Sequence, residues 1–435
     1  MGACIGIRHE DKYVMERRVA IIPAHIEKFI KEQNIEVCVQ KSGKRIFKEQ
    51  EYADKGAKIV DSLKDCPVIF GVKEIPLDAF EKNKTYIFFS HVIKGQPYNM
   101  PMLKKMMELK CNLIDYEKFE DETGKRLIFF GRFAGLAGMI NTLWSLGQRY
   151  KEKGIKTPFE KLKQSHKYNS LEEARKDIAA VGMKILKTGL PKEISPFITA
   201  FTGYGNVSNG AQEIFSLLPV KEIAPEDIPN IANDNSLPNN ILYKAVFKEK
   251  DLSERKDGKE FDLEDYYANP KLYKDKFAQY ILYLNCIVNG MYWDKRYPRI
   301  VTKEYLKDLF SKENPKLTVI GDITCDPDGS IECTHKGTEI EDPVFVYHPD
   351  TETYIMGFKG NGVLIMPVDI LPSELPREAS EAFSTALRGF VSAIANADFN
   401  ADFENIALPN PIRKAMILHK GNLTPNYSYI QQYLK

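Results

Sequence analysis

Short apolar runs alternate with stretches of helical spacing through the first third of the chain. Ala3 to Ile7, Ile35 to Gln40, Cys66 to Val72, Tyr86 to Phe89 and Asn112 to Asp115 predict strands. Pro23 to Glu32 predicts a helix, with Pro at its start and Ile26, Phe29 and Ile30 on one face. Strands separated by helices imply a mostly parallel sheet covered on both faces. The small-residue run from Gly131 to Gly138 predicts tight backbone approach at the start of a long helix through Tyr150. Charged helical sequence follows over 151–192, with a polar loop near Lys163 to Ser170.

A second alternating stretch begins with the strand Phe197 to Phe201, which runs into Thr202-Gly203-Tyr204-Gly205-Asn206-Val207-Ser208-Asn209-Gly210 and a helix over Ala211 to Leu217. The polar segment 233–271 reads as a partly ordered insertion. Further strands are expected at Tyr283 to Val288, Leu317 to Ile320 and Gly362 to Val368, with loops and short strands between Asp322 and Tyr354. Ser380 to Ala395 predicts a helix that returns to the first domain. The fold class is therefore α/β. Two domains are expected, residues 1–132 with 372–435 and residues 133–371, the second carrying the strand, glycine turn and helix of a dinucleotide-binding unit.

The 435 residues are too many for one ordinary core, and 43% of them are hydrophobic, enough for two. The 61 basic and 60 acidic residues nearly balance, which gives no general drive toward nucleic acid or an anionic membrane. Seven scattered cysteines fit reduced thiols. Cys325, Cys333 and His335 lack the short spacing of a zinc site, and no metal is expected. A strand already at Ile5-Gly6-Ile7 leaves no room for a leader, and no apolar run approaches the ~20 residues that span a bilayer. The expectation is a cytoplasmic protein.

The glycine turn carries the clearest chemistry. Gly203 permits the tight turn, Gly205 lets backbone approach a pyrophosphate, and the following helix N-terminus offers free N–H groups. The usual third glycine is Ser208 here, and Gly210 lies two residues on. Without its flanking strand and helix such a turn is commonplace. Glu222 lies about 20 residues on, where a carboxylate accepts from a ribose 2′-hydroxyl, while neighbouring Lys221 suits a phosphate. Both also read as plain surface charge. Lys73 and His91 each end an apolar run, and carboxyl ends of parallel strands are where such folds place ligand chemistry. A desolvated lysine becomes a usable base, and histidine titrates near neutrality. A snorkelling lysine and a backbone-bonded histidine are the ordinary alternatives. Glu16-Arg17-Arg18 is either a solvated charged loop or an anchor for carboxylates.

Ordered blocks over the whole length resemble one family. Gly6-Ile7-Arg8-His9-Glu10-Asp11 and Glu16 to Pro23 resemble the opening of the alanine dehydrogenase/transhydrogenase N-terminal domain. More narrowly they resemble the branch of saccharopine dehydrogenase (L-lysine-forming) and lysine–ketoglutarate reductase. Gly71-Val72-Lys73, Phe88 to Lys94, Ile114 to Glu117, Phe133 to Asn141, Thr202 to Ala211, Asn289 to Trp293, Asp322-Ile323, Leu371 to Ser380 and Leu423 to Gln431 extend the likeness. The resemblance implies two Rossmann-like doubly wound domains, the first of them substrate-binding, with an interdomain active-site cleft, and reductive condensation of L-lysine with 2-oxoglutarate to saccharopine. Lys73 and His91 match its acid–base pair; Arg18, Glu16, Glu117 and Lys94 match substrate-site positions. Tyr204, Asn206, Val207, Asn289, Asp322 and Asp369 join Gly203, Gly205 and Glu222 as cofactor positions. The insertion and tail imply NADP(H), Glu222 argues for NAD, and oligomeric state stays open. Two other readings remain: an alanine-dehydrogenase-like enzyme for another amino acid and ketoacid, and a non-catalytic dinucleotide-binding module.

Overall fold

A computed structural model describes residues 2–312 and 315–434. The chain forms two compact units, Met1–Phe130 with Pro376–Lys435, and Gly131–Leu375. The first segment contains β1 (Ala3–Ile7), α1 (Pro23–Lys31), β2 (Ile35–Gln40), α2 (Glu49–Ala53), β3 (Lys58–Val60), β4 (Val68–Phe70), β5 (Thr85–Phe88), α3 (Met100–Glu108) and β6 (Asn112–Asp115). β4, β5 and β6 are buried throughout, as strands covered on both faces must be. α1 opens on Pro23, whose fixed φ suits a first helical position, and turns Ile26 and Phe29 inward.

The middle of the chain starts with α4 (Gly131–Glu152) and α5 (Leu171–Thr188), then β7 (Phe197–Thr202), α6 (Asn206–Phe215), β8 (Val220–Ile223), α7 (Ile228–Asn233) and β9 (Leu242–Phe247). Short elements follow: α8 (Glu249–Leu252), β10 (Ser253–Arg255), α9 (Leu263–Ala268), β11 (Tyr273–Asp275) and α10 (Ala278–Ile281). The unit closes with β12 (Cys286–Asn289), α11 (Lys303–Ser311), β13 (Val319–Asp322), β14 (Phe345–His348), β15 (Thr353–Met356) and β16 (Val363–Met366). The chain then re-enters the first unit through α12 (Pro376–Ala395), α13 (Asn410–Lys414), β17 (Met416–His419) and β18 (Asn422–Leu423).

Each unit holds an eight-stranded sheet. The first runs β18-β17-β6-β5-β4-β1-β2-β3, parallel except for the antiparallel β17 and β18 at one edge. α12 buries Phe383, Leu387, Val391 and Ile394 against Ile5, Ile7 and Val37 of that sheet. The second runs β15-β14-β16-β13-β12-β7-β9-β8, with β14 and β15 antiparallel.

Two expectations are corrected. Residues 233–271 are not a partly ordered insertion, because β9 lies inside that segment and pairs in parallel with both β7 and β8. The helix after the glycine turn starts at Asn206, not Ala211. The cause is packing against α4. A Cβ on Gly135 would lie 2.0 Å from the Val207 carbonyl oxygen, and one on Gly210 would lie 2.3 Å from that of Arg132. The glycines let the two helices cross at backbone contact.

Candidate active site

In the first unit the candidate groups lie just beyond the carboxyl ends of neighbouring parallel strands. β1 leads to Glu10, β4 to Lys73, β5 to His91 and β6 to Glu117. Glu10 is 4% exposed, and its carboxylate accepts from the Val72 N–H at 2.7 Å and the Lys73 N–H at 2.9 Å. Burial, followed by the charge of Glu16, pushes its carboxyl up to about 7. Glu10 thus fixes the backbone that presents Lys73.

Glu16 and Arg18 are both buried and form a two-pronged ion pair: Arg18 Nε lies 2.8 Å from Glu16 Oε1 and Arg18 Nη2 lies 2.5 Å from Oε2. Burial works to raise the Glu16 carboxyl, but Arg18 and then Lys73 outweigh it and hold it below the ordinary carboxylate range. Arg18 also stacks over Phe130, 4.2 Å from the ring centre. The guanidinium expected to meet a substrate carboxylate is therefore already engaged by an internal one.

His91 adopts a left-handed backbone, with φ of 49°. Histidine tolerates this region better than most residues, and such strain persists only where surroundings hold it. Its Nδ1 lies 2.7 Å from Oε1 of Glu74. Glu74 also accepts from Lys12 Nζ at 2.6 Å, and Asn99 Nδ2 donates to the Ser90 carbonyl at 2.9 Å beside it. Burial opposes ionisation of Glu74, yet the bonds and charges of His91 and Lys12 hold its carboxyl down to about 2. An ionised carboxylate only accepts, so Nδ1 carries the hydrogen and Nε2 is left for other chemistry. Neither Glu10 nor Glu74 stood out in the sequence. Glu74 directly follows Lys73, and that adjacency was the one available signal.

Glu117 is half-buried, its N–H bonded at 2.8 Å to Oδ1 of the buried Asp115. Asp115 also accepts from the Ser90 N–H at 3.0 Å, which ties the strand ends of β5 and β6 together. Lys94 is exposed in a turn closed by the Gly95 N–H to the Val92 carbonyl.

In the second unit Gly203 takes φ of 81°, where a Cβ would lie 3.1 Å from Met291 Cα. Gly205 caps α6 with no side-chain bond, and a Cβ there would meet nothing within 4 Å. That space lies at the free N–H groups of Asn206 and Val207, an arrangement suited to a pyrophosphate. Asn289 and Asp322 are buried. Asn289 accepts from Thr202 Oγ1 at 2.6 Å, and its amide lies 2.8 Å from Asp322 and 2.9 Å from Ser330. They brace the ends of β7, β12 and β13. Asp369 is exposed beyond β16, with Cys325 Sγ 3.9 Å from its Oδ1.

Strand order sets Glu222 apart from the glycine turn. Glu222 sits on β8, separated from β7 by β9, and its carboxylate is 2.6 Å from Lys244 Nζ. The intervening strand β9 pairs directly with β7, and the carboxylate just past its carboxyl end is Glu249. Tyr267 Oη donates to Glu249 at 2.8 Å. Glu249 and Tyr267 line a cavity of about 260 Å³ together with Gly203, Tyr204, Gly205 and Tyr292. Open space at Gly205, uncapped amides and a carboxylate at the neighbouring strand fit a nicotinamide dinucleotide. Among the described residues no helix is long and apolar enough to cross a membrane.

Comparison with known proteins gives matches along the chain. The alanine dehydrogenase/PNT N-terminal domain model matches residues 6–137, and the C-terminal domain model matches residues 274–426. The glycine turn falls between the two. An alpha-aminoadipic semialdehyde synthase of Arabidopsis thaliana is 39% identical over 99% of this chain and 41% of its own length. The mitochondrial protein of that name from Mus musculus is 34% identical over 98% of this chain and 47% of its own. The chain thus spans less than half the length of these relatives. A saccharopine dehydrogenase [NAD(+), L-lysine-forming] of Yarrowia lipolytica is 28% identical over 88% of this chain and 90% of its own. A solved L-alanine dehydrogenase shares the fold, with a TM-score of 0.63 at 16% identity, covering 99% of this chain and 100% of its own.

Proposed function

This chain belongs to the alanine dehydrogenase/PNT family, and on that premise we propose that it condenses L-lysine with 2-oxoglutarate reductively, giving saccharopine. The observation that carries this reading is the Glu74–His91 pair beside Lys73, at strand ends that also hold Glu10, Glu16 and Arg18.

The lysine ε-amine forms a C–N bond to the ketone carbon, and the resulting carbinolamine loses water. His91, oriented through Nδ1 by Glu74, moves protons through Nε2. Lys73, its backbone fixed by Glu10, takes the proton released by the attacking amine. The departing hydroxyl leaves as water, protonated by His91. A bound nicotinamide supplies the hydride that reduces the C=N carbon. Lysine, 2-oxoglutarate, reduced coenzyme and one proton thus give saccharopine, oxidised coenzyme and water. Arg18, Glu16, Glu117 and Lys94 set the charges that sort the carboxylates from the amines.

Coenzyme choice rests on the Lys248-Glu249 corner. Glu249 lines the cavity and accepts a free 2′-hydroxyl, which favours NAD(H). Lys248, exposed beside it, is the feature that favours the NADP(H) reading.

The test is lysine- and 2-oxoglutarate-dependent oxidation of NADH and NADPH, with saccharopine identified by mass. Lys73→Met and His91→Gln should each lower turnover by about 10²–10⁴-fold, as loss of a general acid or base does. Unchanged turnover in both removes the assignment. Turnover with alanine and pyruvate but not lysine would favour an alanine-dehydrogenase-like activity.

A further inference from the structure

At the other end of β1 from Glu10, three cysteines converge. Cys4 lies on β1 and Cys38 on β2, while Cys66 stands in the turn before β4. Cys4 pairs in register with Glu36, and Gly6 with Cys38, so Cys4, Glu36 and Cys38 share one face of the sheet. Gly6 makes room on that face: a Cβ there would lie 3.0 Å from Leu63 Cδ2 and 3.2 Å from Cys66 Cβ. Leu63 and Cys66 fill this space, and Cys66 reaches Cys4, with their sulfurs 3.7 Å apart. All three sulfurs lie within 4.8 Å of one another.

Buried cysteines usually pack as small hydrophobes. This cluster differs because it gathers charge partners and opens to solvent. Glu36 Oε1 is 3.7 Å from Cys38 Sγ, and Lys58 Nζ is 2.8 Å from the same carboxylate. Cys4, Cys66, Glu36, Lys58 and Asp65 line a cavity of about 1050 Å³, which gives an ion a way in.

We propose that Cys4, Cys38 and Cys66 form a binding site for a soft d¹⁰ cation of the zinc type, with Glu36 as the fourth ligand. Zinc–thiolate bonds of about 2.3 Å place tetrahedral sulfurs about 3.8 Å apart, close to the Cys4–Cys66 spacing. Closing the wider sulfur separations needs movements of about an ångström. On binding, each thiol loses its proton to solvent, and sulfur lone pairs form the bonds to the metal. Three thiolates and the Glu36 carboxylate around a dication leave two negative charges, of which Lys58 offsets one. The ion would clip β1, β2 and the turn before β4 together, remote along the strands from Lys73 and His91. Its role is structural, because three thiolates and a carboxylate leave no open position.

The test uses the full chain, reduced and freed of metal, with Zn²⁺ and Co²⁺ as probes. One equivalent of Zn²⁺ should be taken from a chromophoric chelator, and Co²⁺ should give a thiolate charge-transfer absorption. Cys4→Ser and Cys66→Ser should lose both signals, and Cys325→Ser should keep them. In the unaltered chain, Zn²⁺ should slow alkylation of Cys4 by about tenfold or more while leaving Cys325 unchanged. That measurement decides the matter if a serine variant fails to fold. Absence of Zn²⁺ uptake, uptake equal in Cys66→Ser, or undiminished alkylation of Cys4 overturns the site. So does a chain that only oxidises to a Cys4–Cys66 disulfide.

Discussion

Glu74 has no group to donate to a substrate, yet it decides what His91 can do. Replacing it with Gln keeps the shape and offers Nδ1 either an acceptor or a donor, which lets the imidazole take the wrong tautomer. Glu74→Gln should lower kcat by about 10²-fold or more, with little change in KM for either substrate. The same carboxylate shapes acid stability. Its folded value of about 2 lies below the ordinary 4.5, so its contribution is present above that ordinary value and is lost as pH falls toward 2. That contribution is about 3 kcal/mol, and acid titration of Glu74→Gln should lack this limb.

Glu10 behaves oppositely. Its folded value is about 7, so between pH 4.5 and 7 the folded chain holds a proton that the unfolded chain releases. Stability should fall as pH rises through that window, and Glu10→Gln should flatten the slope in denaturant melts. At the ribose corner, Glu249→Gln should raise KM for NADH and lower it for NADPH. Lys248→Ala should do the reverse if the lysine meets a phosphate.

At the level of elements, glycines with different neighbours should fail differently. Gly205→Ala puts its methyl into open space at the α6 N-terminus, so folding should persist while coenzyme affinity falls. Gly210→Ala drives a methyl into the Arg132 carbonyl at the α4 crossing. Overpacking of this kind costs about 1–3 kcal/mol, visible as a lower Tm before any change in coenzyme affinity. The two variants separate the glycine that serves a ligand from the one that serves packing.

The strands were legible because short apolar runs bounded by turns read the same way in sequence and structure. Lys73 and His91 could be singled out as candidates because such runs end at them. β9 was missed because Lys244, half-buried against Gln212 and Glu222, breaks its apolar run within a charged stretch. α6 was started late because Asn206-Val207-Ser208-Asn209-Gly210 has poor helix propensity, which the α4 crossing overrides. Glu222 stands at the expected spacing and Glu249 past the adjacent strand, because spacing along a chain says nothing about which strands lie beside β7.

For the whole molecule, the positions proposed to hold coenzyme, from Gly203 to Asp369, all fall in the unit Gly131–Leu375. Ligand at about 100 times its Kd stabilises what it binds by about 2.7 kcal/mol. Hydrogen exchange with saturating NADH should therefore slow first in β7, α6 and β9.

The return of the chain through α12 has a consequence for synthesis. The core under β1 includes Phe383, Leu387 and Val391, which leave the ribosome hundreds of residues after Ile5 and Ile7. The unit encoded without interruption can settle early, whereas its partner must wait as an apolar half-shell. During translation the nascent amino-terminal third is thus the aggregation-prone part, and chaperone dependence should track the completion of residue 395.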